Sequence, residues 1–316
     1  MNNVTMNHKN TKTPYWLLYL VGIVAISFSA IFVRWSEAPY SVMAMNRLLL
    51  TIVILLPFFP KYVKELSNIK MRDWWIILAS GASLGLHFLL WMASLSYTSV
   101  SSSTALLTLE PVLVLIGSYY FFREKHSAAG TTGMIIAVIG AAAIGLQDFK
   151  LSADALFGDV LSILGAASVA IHMLLGKSLR ARMSAFLYSF SVFFAALVVL
   201  FGYNVVLGFT MFNYPAREWG IFLLLAVVPT VFGHYLFNLL LRYVSAVSIS
   251  MAVLGEPVGA TILAWFLLSE PIGLQSMIAC LVLLAGTWIF IRQRSRGNSG
   301  ALAVKIMQSK KAADQD

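Results

Sequence analysis

The chain carries TLEPV at residues 108–112 and LGEPV at residues 254–258, each in the middle of a long apolar run. Both stretches place a carboxylate inside a segment that suits a membrane, although a charged side chain at the bilayer centre costs roughly 2.5–3.5 kcal/mol on insertion scales. Both also place a proline there, which removes a backbone donor and strains the preceding turn. Two such stretches at matching places indicate that the chain is doubled around them.

The composition is that of an integral membrane protein. Hydrophobic residues make up 59% of the 316 residues and charged residues only 11%, far from the average of soluble domains. The basic residues that give the net charge of +9 lie between the apolar runs and in the tail, where membrane proteins carry the charges that fix their orientation. The charge therefore does not indicate nucleic-acid binding. A single cysteine, Cys280, excludes a disulfide framework or a cysteine metal site.

Ten apolar runs have the length that a bilayer core requires. They lie at 15–33, 40–59, 74–95, 98–121, 127–146, 156–176, 184–207, 218–241, 246–268 and 272–291. We therefore predict an all-α integral membrane protein with ten transmembrane helices. A cytoplasmic segment at residues 1–14 precedes them, and a cytoplasmic basic tail at residues 293–316 follows. No small-residue cleavage site accompanies the first run, so we interpret it as a helix and not as a cleaved signal.

The distribution of Lys and Arg predicts the orientation. If the N-terminus is cytoplasmic, 18 of the 22 basic residues fall in inside segments, three fall in outside segments, and Arg47 lies within a helix. This asymmetry favours cytoplasmic N- and C-termini and an even number of crossings. The predicted location is the cell (plasma) membrane.

An internal repeat relates the two halves by a constant offset of 146 residues. Under this shift nine residues meet identical ones: Tyr97, Ser99, Ser102, Glu110, Pro111, Val112, Ile116, Glu124 and Gly140. Residues 15–146 and 156–292 are therefore predicted to be two copies of a five-helix unit. Since five is odd, the second copy must cross the membrane in the opposite direction, which is the inverted-topology architecture of many secondary transporters.

Paired motifs in these copies are shared with a known family. The motifs are Glu110-Pro111-Val112 with Phe122-Arg123-Glu124, their copies Glu256-Pro257-Val258 with Leu268-Ser269-Glu270, the glycines of the fifth and tenth helices, and Arg47 in the second. The chain resembles, over residues 15–292, the EamA-type branch of the drug/metabolite transporter superfamily. Its members often have Gly where this chain has Arg123 and Ser269. The resemblance implies a transporter, often an exporter, of small metabolites, amino acids or drugs, with a cavity lined by helices three, four, eight and nine.

The two intramembrane glutamates are the first candidates for a transport site. In a functional interpretation, Glu110 and Glu256 face the cavity and bind a cationic group or take up protons, since intramembrane ionisable residues usually serve function. In a structural interpretation, each hydrogen-bonds the carbonyl freed by the neighbouring proline, or pairs with Arg47. Pro111 and Pro257 are predicted to kink their helices around the cavity under either interpretation.

Further polar residues in the apolar runs complete the candidate set. Arg47 could bind a substrate carboxylate or form an ion pair with a protein carboxylate; the pair is slightly favoured. Two pairs of residues are spaced four apart, so that each pair lies on one face of its helix: His87 with Trp91, and His234 with Asn238. The two pairs could reach opposite walls of the cavity. Helix six adds Ser168 and His172. Glu124 and Glu270 are predicted to serve as structural helix ends. The scattered histidines lack metal-ligand spacing, so neither a metal nor another cofactor is expected.

These patterns favour a secondary transporter of small organic solutes by alternating access, with proton coupling through Glu110 or Glu256, and the resemblance implies that it is an exporter. A passive channel or facilitator is the alternative. An intramembrane enzyme is disfavoured because no metalloprotease, paired-aspartate or nucleophile–base motif occurs, and no P-loop for ATP-driven transport is present. The expected partners are a small solute and the lipid bilayer, without nucleic acid. The chain could act as a monomer or a homodimer.

Overall fold

The computed structural model describes residues 15–98, 100–124, 127–145, 152–269 and 272–292. The predicted cytoplasmic segments at 1–14 and 293–316 and the helix-end residue Glu270 lie outside these ranges. Within them all regular structure is helical. This agrees with the all-α class that composition predicts.

The helices follow the predicted apolar runs. They are α1 (Tyr15–Trp35), α2 (Tyr40–Leu55), α3 (Val63–Leu66), α4 (Met71–Ser94), α5 (Val100–Leu107), α6 (Glu110–Phe122), α7 (Ala128–Gly145), α8 (Ala153–Arg180), α9 (Ala185–Val206), α10 (Ala216–Leu225), α11 (Leu236–Leu240), α12 (Ala246–Val253), α13 (Glu256–Leu268) and α14 (Leu274–Arg292). A 3₁₀ segment, Leu56–Tyr62, follows α2, and a π-helical segment, Ala226–Tyr235, joins α10 to α11. In the described ranges nine helical segments are long and apolar enough to cross a membrane, and the apolar helix Ala128–Ala143 is shorter.

The fourth and ninth apolar runs are each divided into two helices at the predicted proline, although the residues at the division keep right-handed helical dihedral angles. The break lies at residues 108–109 in the first run and at 254–255 in the second. Proline has no N–H, and its ring clashes with the carbonyl four residues earlier. Four residues before Pro111 is Leu107, the last residue of α5, and four before Pro257 is Val253, the last of α12. Both glutamates therefore occupy the first position of a new helix.

The repeat extends from sequence to backbone geometry. Shifting α5 and α6 by 146 residues gives the bounds of α12 and α13. The residues that end α6 and α13, Arg123 and Ser269, are both left-handed, with φ of 56° and 57°. That conformation costs an L-residue roughly 1–2 kcal/mol, which explains why Gly is common at these places in the resembling family. Along these four helices the two copies keep the same backbone even where their residues differ.

Contacts between helices also follow the repeat. α4 packs along α8, and the corresponding segments α10 and 226–235 pack along α1. Both α5 and α6 contact α8, as both α12 and α13 contact α1. At the centre α6 contacts α12 and α5 contacts α13, so the two broken helices cross at their breaks. The first helix of each copy therefore packs against helices of the other copy.

Close packing of α7 against α14 predicts opposite effects for one substitution at two glycines. A Cβ on Gly140 would meet backbone atoms of Leu283, whereas a Cβ on Gly202 in α9 would meet nothing within 4 Å. We expect Gly140→Ala to lower the unfolding temperature, because overpacking costs about 1–3 kcal/mol. Gly202→Ala should raise it, since Ala exceeds Gly in helix propensity by about 1 kcal/mol. Thermal unfolding in detergent measures both, and equal stability of the two variants would contradict this packing.

Candidate functional site

A cavity lies between the two copies at the level of the helix breaks. It has a volume of about 50 Å³, measured as the space open to the centre of a water molecule. Its lining residues are Ile26, Ser29, His87, Phe88, Trp91, Leu107, Glu110, Val169, His172, Met173, His234, Phe237, Asn238, Val253 and Glu256. Seven of the nine polar or aromatic candidates from the sequence are among them. The exceptions are Ser168 and Arg47, and Arg47 lies behind Ser29.

The two glutamates occupy this cavity in different environments. Glu110 is buried and accepts a hydrogen bond from the Ser250 hydroxyl at 2.8 Å. Glu256 is half-buried, and its carboxylate has no hydrogen-bond partner among the residues that the structure describes. Both stand at helix N-termini, where the partial positive charge of unpaired N–H groups favours an anion. The carboxylates are near enough to interact electrostatically.

A smaller pocket of about 10 Å³ lies directly between the broken helices. It is lined by five pairs of residues related by the 146-residue offset: Thr104 and Ser250, Leu107 and Val253, Thr108 and Leu254, Glu110 and Glu256, and Pro111 and Pro257. We call the residue at this offset the repeat mate. This pocket, lined only by repeat mates, lies where the two copies meet.

The cavity walls do not obey this symmetry. The repeat mate of His234 is Phe88, and the two rings meet edge-on, with centroids 5.1 Å apart. The repeat mate of Trp91 is Phe237. The mate of His87 is Gly233, so the two histidines are not mates, although their ring centroids are only 6.3 Å apart. One copy therefore supplies an aromatic ring where the other supplies an imidazole.

In the part of the cavity wall formed by His87 and Trp91, the hydrogen bonds within the protein leave two ring nitrogens available to a ligand. His87 Nδ1 donates to the Gly165 carbonyl at 3.0 Å, which leaves Nε2 to act as the second polar atom of the ring. Its ring stacks on Trp91 at 6.2 Å between centroids. The indole Nε1 of Trp91 has no partner within the described ranges. Asn238 donates through its side chain to Ser189 Oγ at 3.2 Å, so this amide is held in place by α9.

Arg47 is fully buried beside the cavity, and its partners differ from the carboxylate that the sequence favoured. Its Nε donates to Thr230 Oγ1 at 2.6 Å and its Nη1 to Ser29 Oγ at 3.4 Å. The guanidinium lies 4.1 Å over the Phe88 ring. Its Nη2 has no partner in the part of the chain that the structure describes. Glu256 acts on this charge electrostatically but is not among the ion pairs within 4.0 Å in those ranges.

His172 lines the cavity. Ser168, one turn earlier on the same helix, donates to the Leu164 carbonyl of that helix. His172 instead meets Ser80 of α4, whose Oγ lies 2.9 Å from His172 Nδ1 and 2.9 Å from the Tyr188 hydroxyl. The spacing of residues along one helix could not predict these hydrogen bonds, because Ser80, His172 and Tyr188 lie on three different helices.

Glu124 lies in the turn after α6 and outside the cavity. Its backbone N–H donates to the Ser118 carbonyl at 3.3 Å, and the N–H of Arg123 donates to Tyr119. The bond from Arg123 to Tyr119, four residues back, is that of the αL motif, which ends a helix with a left-handed residue. The described residues contain no group of three His, Cys, Asp or Glu side chains placed to hold a metal ion.

The sequence model of the EamA-like transporter family matches residues 13–146 and 156–292, one match for each copy. The chain belongs to the EamA-like transporter family. It is a multi-pass membrane protein, as its family and its apolar helices show. The two-copy architecture of the family also agrees with the repeat in the helix bounds.

Individual relatives support this membership. The "Uncharacterized transporter YetK" of Bacillus subtilis is 26% identical over 264 residues, 79% of this chain and 78% of its own length. The "Probable 4-amino-4-deoxy-L-arabinose-phosphoundecaprenol flippase subunit ArnE" of Aeromonas hydrophila is 38% identical over 76 residues, 24% of this chain and 66% of its own length. A solved crystal structure has the same fold, with a TM-score of 0.73 at 13% identity, covering 88% of this chain and 97% of that one.

Proposed function

We propose that this member of the family is a secondary transporter that exports a small organic solute by alternating access. The observation that carries the proposal is the central cavity, in which Glu110 and Glu256 begin the second halves of two broken helices. Broken helices that meet between two inverted copies form the substrate sites of many secondary transporters. The aromatic walls suit an organic solute with an apolar part. The proposal assigns no enzymatic activity to the chain.

Ten crossings in two inverted copies are part of this proposal. The nine long segments and the shorter helix Ala128–Ala143 correspond to the ten apolar runs. An odd number of helices per copy reverses the second copy, and the Lys and Arg distribution then favours cytoplasmic termini in the plasma membrane. The cavity lies within one chain, so transport by a monomer or by each subunit of a homodimer is compatible with it.

Proton coupling is the second part of the proposal. Desolvation penalises an ionised carboxyl group, so a carboxyl that alternates between wet and apolar surroundings can take up and release a proton. Glu110 and Glu256 are the groups placed to do so in the cavity. When both carboxylates are ionised they repel each other, and this repulsion favours the binding of a cationic solute or a proton beside them.

A counterflow screen tests transport. The protein is reconstituted in liposomes loaded with unlabelled amino acids or cationic drugs, and uptake of the labelled compound is followed with and without a pH gradient. We expect saturable uptake that the internal solute accelerates for at least one compound, and no uptake in protein-free liposomes. Flux that internal solute does not accelerate would favour a channel, and so would contradict the proposal.

A further inference from the structure

The two cavity glutamates are repeat mates, but their hydroxyl partners are used unequally. Glu110 of α6 accepts a hydrogen bond from Ser250 of α12 at 2.8 Å. The repeat mate of Ser250 is Thr104 of α5, which also carries a hydroxyl. The Thr104 hydroxyl donates instead to the Val100 carbonyl of its own helix at 2.7 Å. The Glu256 carboxylate has no hydrogen-bond partner within the described ranges. Of the two equivalent hydroxyl–carboxylate pairs, Ser250 with Glu110 is therefore bonded and Thr104 with Glu256 is not.

All four side chains line the same small pocket between the broken helices. Thr104 and Ser250 are both buried there, at 2% and 0% exposure. Serine and threonine differ in size but share one hydroxyl donor, so the chemistry of the donor is the same in both copies. Thr104 Oγ1 can exchange the Val100 carbonyl for another acceptor, because a bond from a hydroxyl to a helix carbonyl one turn back is a common local alternative.

The two pairings join different helices. The bond from Ser250 to Glu110 holds α12 against α6. A bond from Thr104 to Glu256 would hold α5 against α13. These are the two pairs of half-helices that contact each other where the broken helices cross. The Ser250–Glu110 bond therefore stabilises the contact between α6 and α12, and a Thr104–Glu256 bond would stabilise the contact between α5 and α13.

We propose that Ser250 and Thr104 are alternating positioning residues for the two glutamates. Ser250 holds Glu110 in the state described here, and Thr104 holds Glu256 in the oppositely facing state. The inference rests on the proposed function, because inverted copies that exchange conformations convert one facing state into the other. Each state then has one hydroxyl–carboxylate bond, and the exchange of bonds accompanies the change of access.

The proposal predicts opposite shifts for two similar substitutions. Ser250→Ala removes the bond of the state described here and should move the population toward the other state by about tenfold, the effect of losing a hydrogen bond to a charged group. Thr104→Val, which keeps the shape of the side chain, should move it in the opposite direction. The double variant should return close to the wild-type ratio.

Spin-label distances in lipid nanodiscs measure these populations without any solute. In a Cys280→Ala background, one label pair replaces Phe121 and Tyr243, and a second replaces Tyr97 and Leu267. The four positions are exposed: Phe121 and Leu267 lie near the ends of α6 and α13, and Tyr97 and Tyr243 lie three residues before α5 and α12. The two pairs are repeat mates of each other. We expect Ser250→Ala to lengthen the distances between 121 and 243 and to shorten those between 97 and 267. Thr104→Val should do the reverse.

Conservative variants separate a positioning role from general damage. Ser250→Thr and Thr104→Ser keep the hydroxyl and should leave both distance distributions as in the wild type. Unchanged distances in Ser250→Ala, or shifts of the same direction in Ser250→Ala and Thr104→Val, would overturn the proposal. Distances that shift as expected in a protein without counterflow would refute the proposed transport and leave the alternating pairing supported.

Discussion

Glu110→Gln and Glu256→Gln should each abolish uphill transport driven by a pH gradient, with accumulation falling to the level of protein-free liposomes. Glutamine keeps the size and the hydrogen-bonding capacity of the side chain but cannot gain or lose a proton. In Glu110→Gln, Ser250 can still donate to the oxygen of the new side-chain amide, so the fold of the crossing should persist. Solute exchange in the absence of a gradient should therefore continue in both variants.

Glu37→Gln is the matched control for these variants. Glu37 lies in the loop after α1, with 88% of its side chain exposed, and contacts the exposed Arg217. The same loss of a carboxylate at this place should leave uphill transport unchanged. Transport that remains pH-driven and uphill in both Glu110→Gln and Glu256→Gln would show that the cavity carboxylates do not couple protons.

Arg47→Met should reduce transport by about tenfold, because Arg47 donates to Ser29, which lines the cavity, and this hydrogen bond from a charged group is lost. It should not lower the unfolding temperature. The buried guanidinium makes two hydrogen bonds to hydroxyls and lies over one aromatic ring, and its Nη2 is left without a partner in the described part of the chain. Burial of a charge costs several kcal/mol, and these contacts repay it incompletely. Replacement by an apolar side chain of similar length can therefore be neutral or stabilising.

This variant distinguishes the two roles that the sequence left open for Arg47. If the arginine only holds helices together, Arg47→Met should lower the unfolding temperature by several degrees and reduce transport through misfolding. Arg34→Met is a control, since Arg34 is exposed and donates to the Thr98 carbonyl in a loop. Thermal unfolding and counterflow on the same preparations decide between the roles.

The arrangement of the broken helices could be predicted from sequence because local chemistry determines it. A proline removes a donor at a fixed distance from its carbonyl partner, so the break before Pro111 had to recur before Pro257. The constant offset related the two glutamates to each other, and both line the same small pocket. The sequence predicted a kink at these places, but it did not show that each helix would end and begin again.

The partners of the buried polar groups could not be predicted in the same way. Glu110 and Ser250 are 140 residues apart, and Arg47 and Thr230 are 183 residues apart. Which groups meet depends on how each helix is rotated about its axis, and a helix that is apolar on all sides carries little periodic signal for that rotation. The π-helical segment Ala226–Tyr235 adds to this, since its wider turn changes which residues face the cavity near His234.

Labelling of one cavity residue from both sides of the membrane tests alternating access most directly. Leu107 lines the cavity and the smaller pocket, and Leu107→Cys in a Cys280→Ala background provides a single thiol there. We predict that a membrane-impermeant thiol reagent modifies this residue from either face of oriented proteoliposomes. Modification from either face should stop counterflow, and bound solute should slow the modification. A thiol that reacts from one face only, in protein that still performs counterflow, would contradict transport through this cavity.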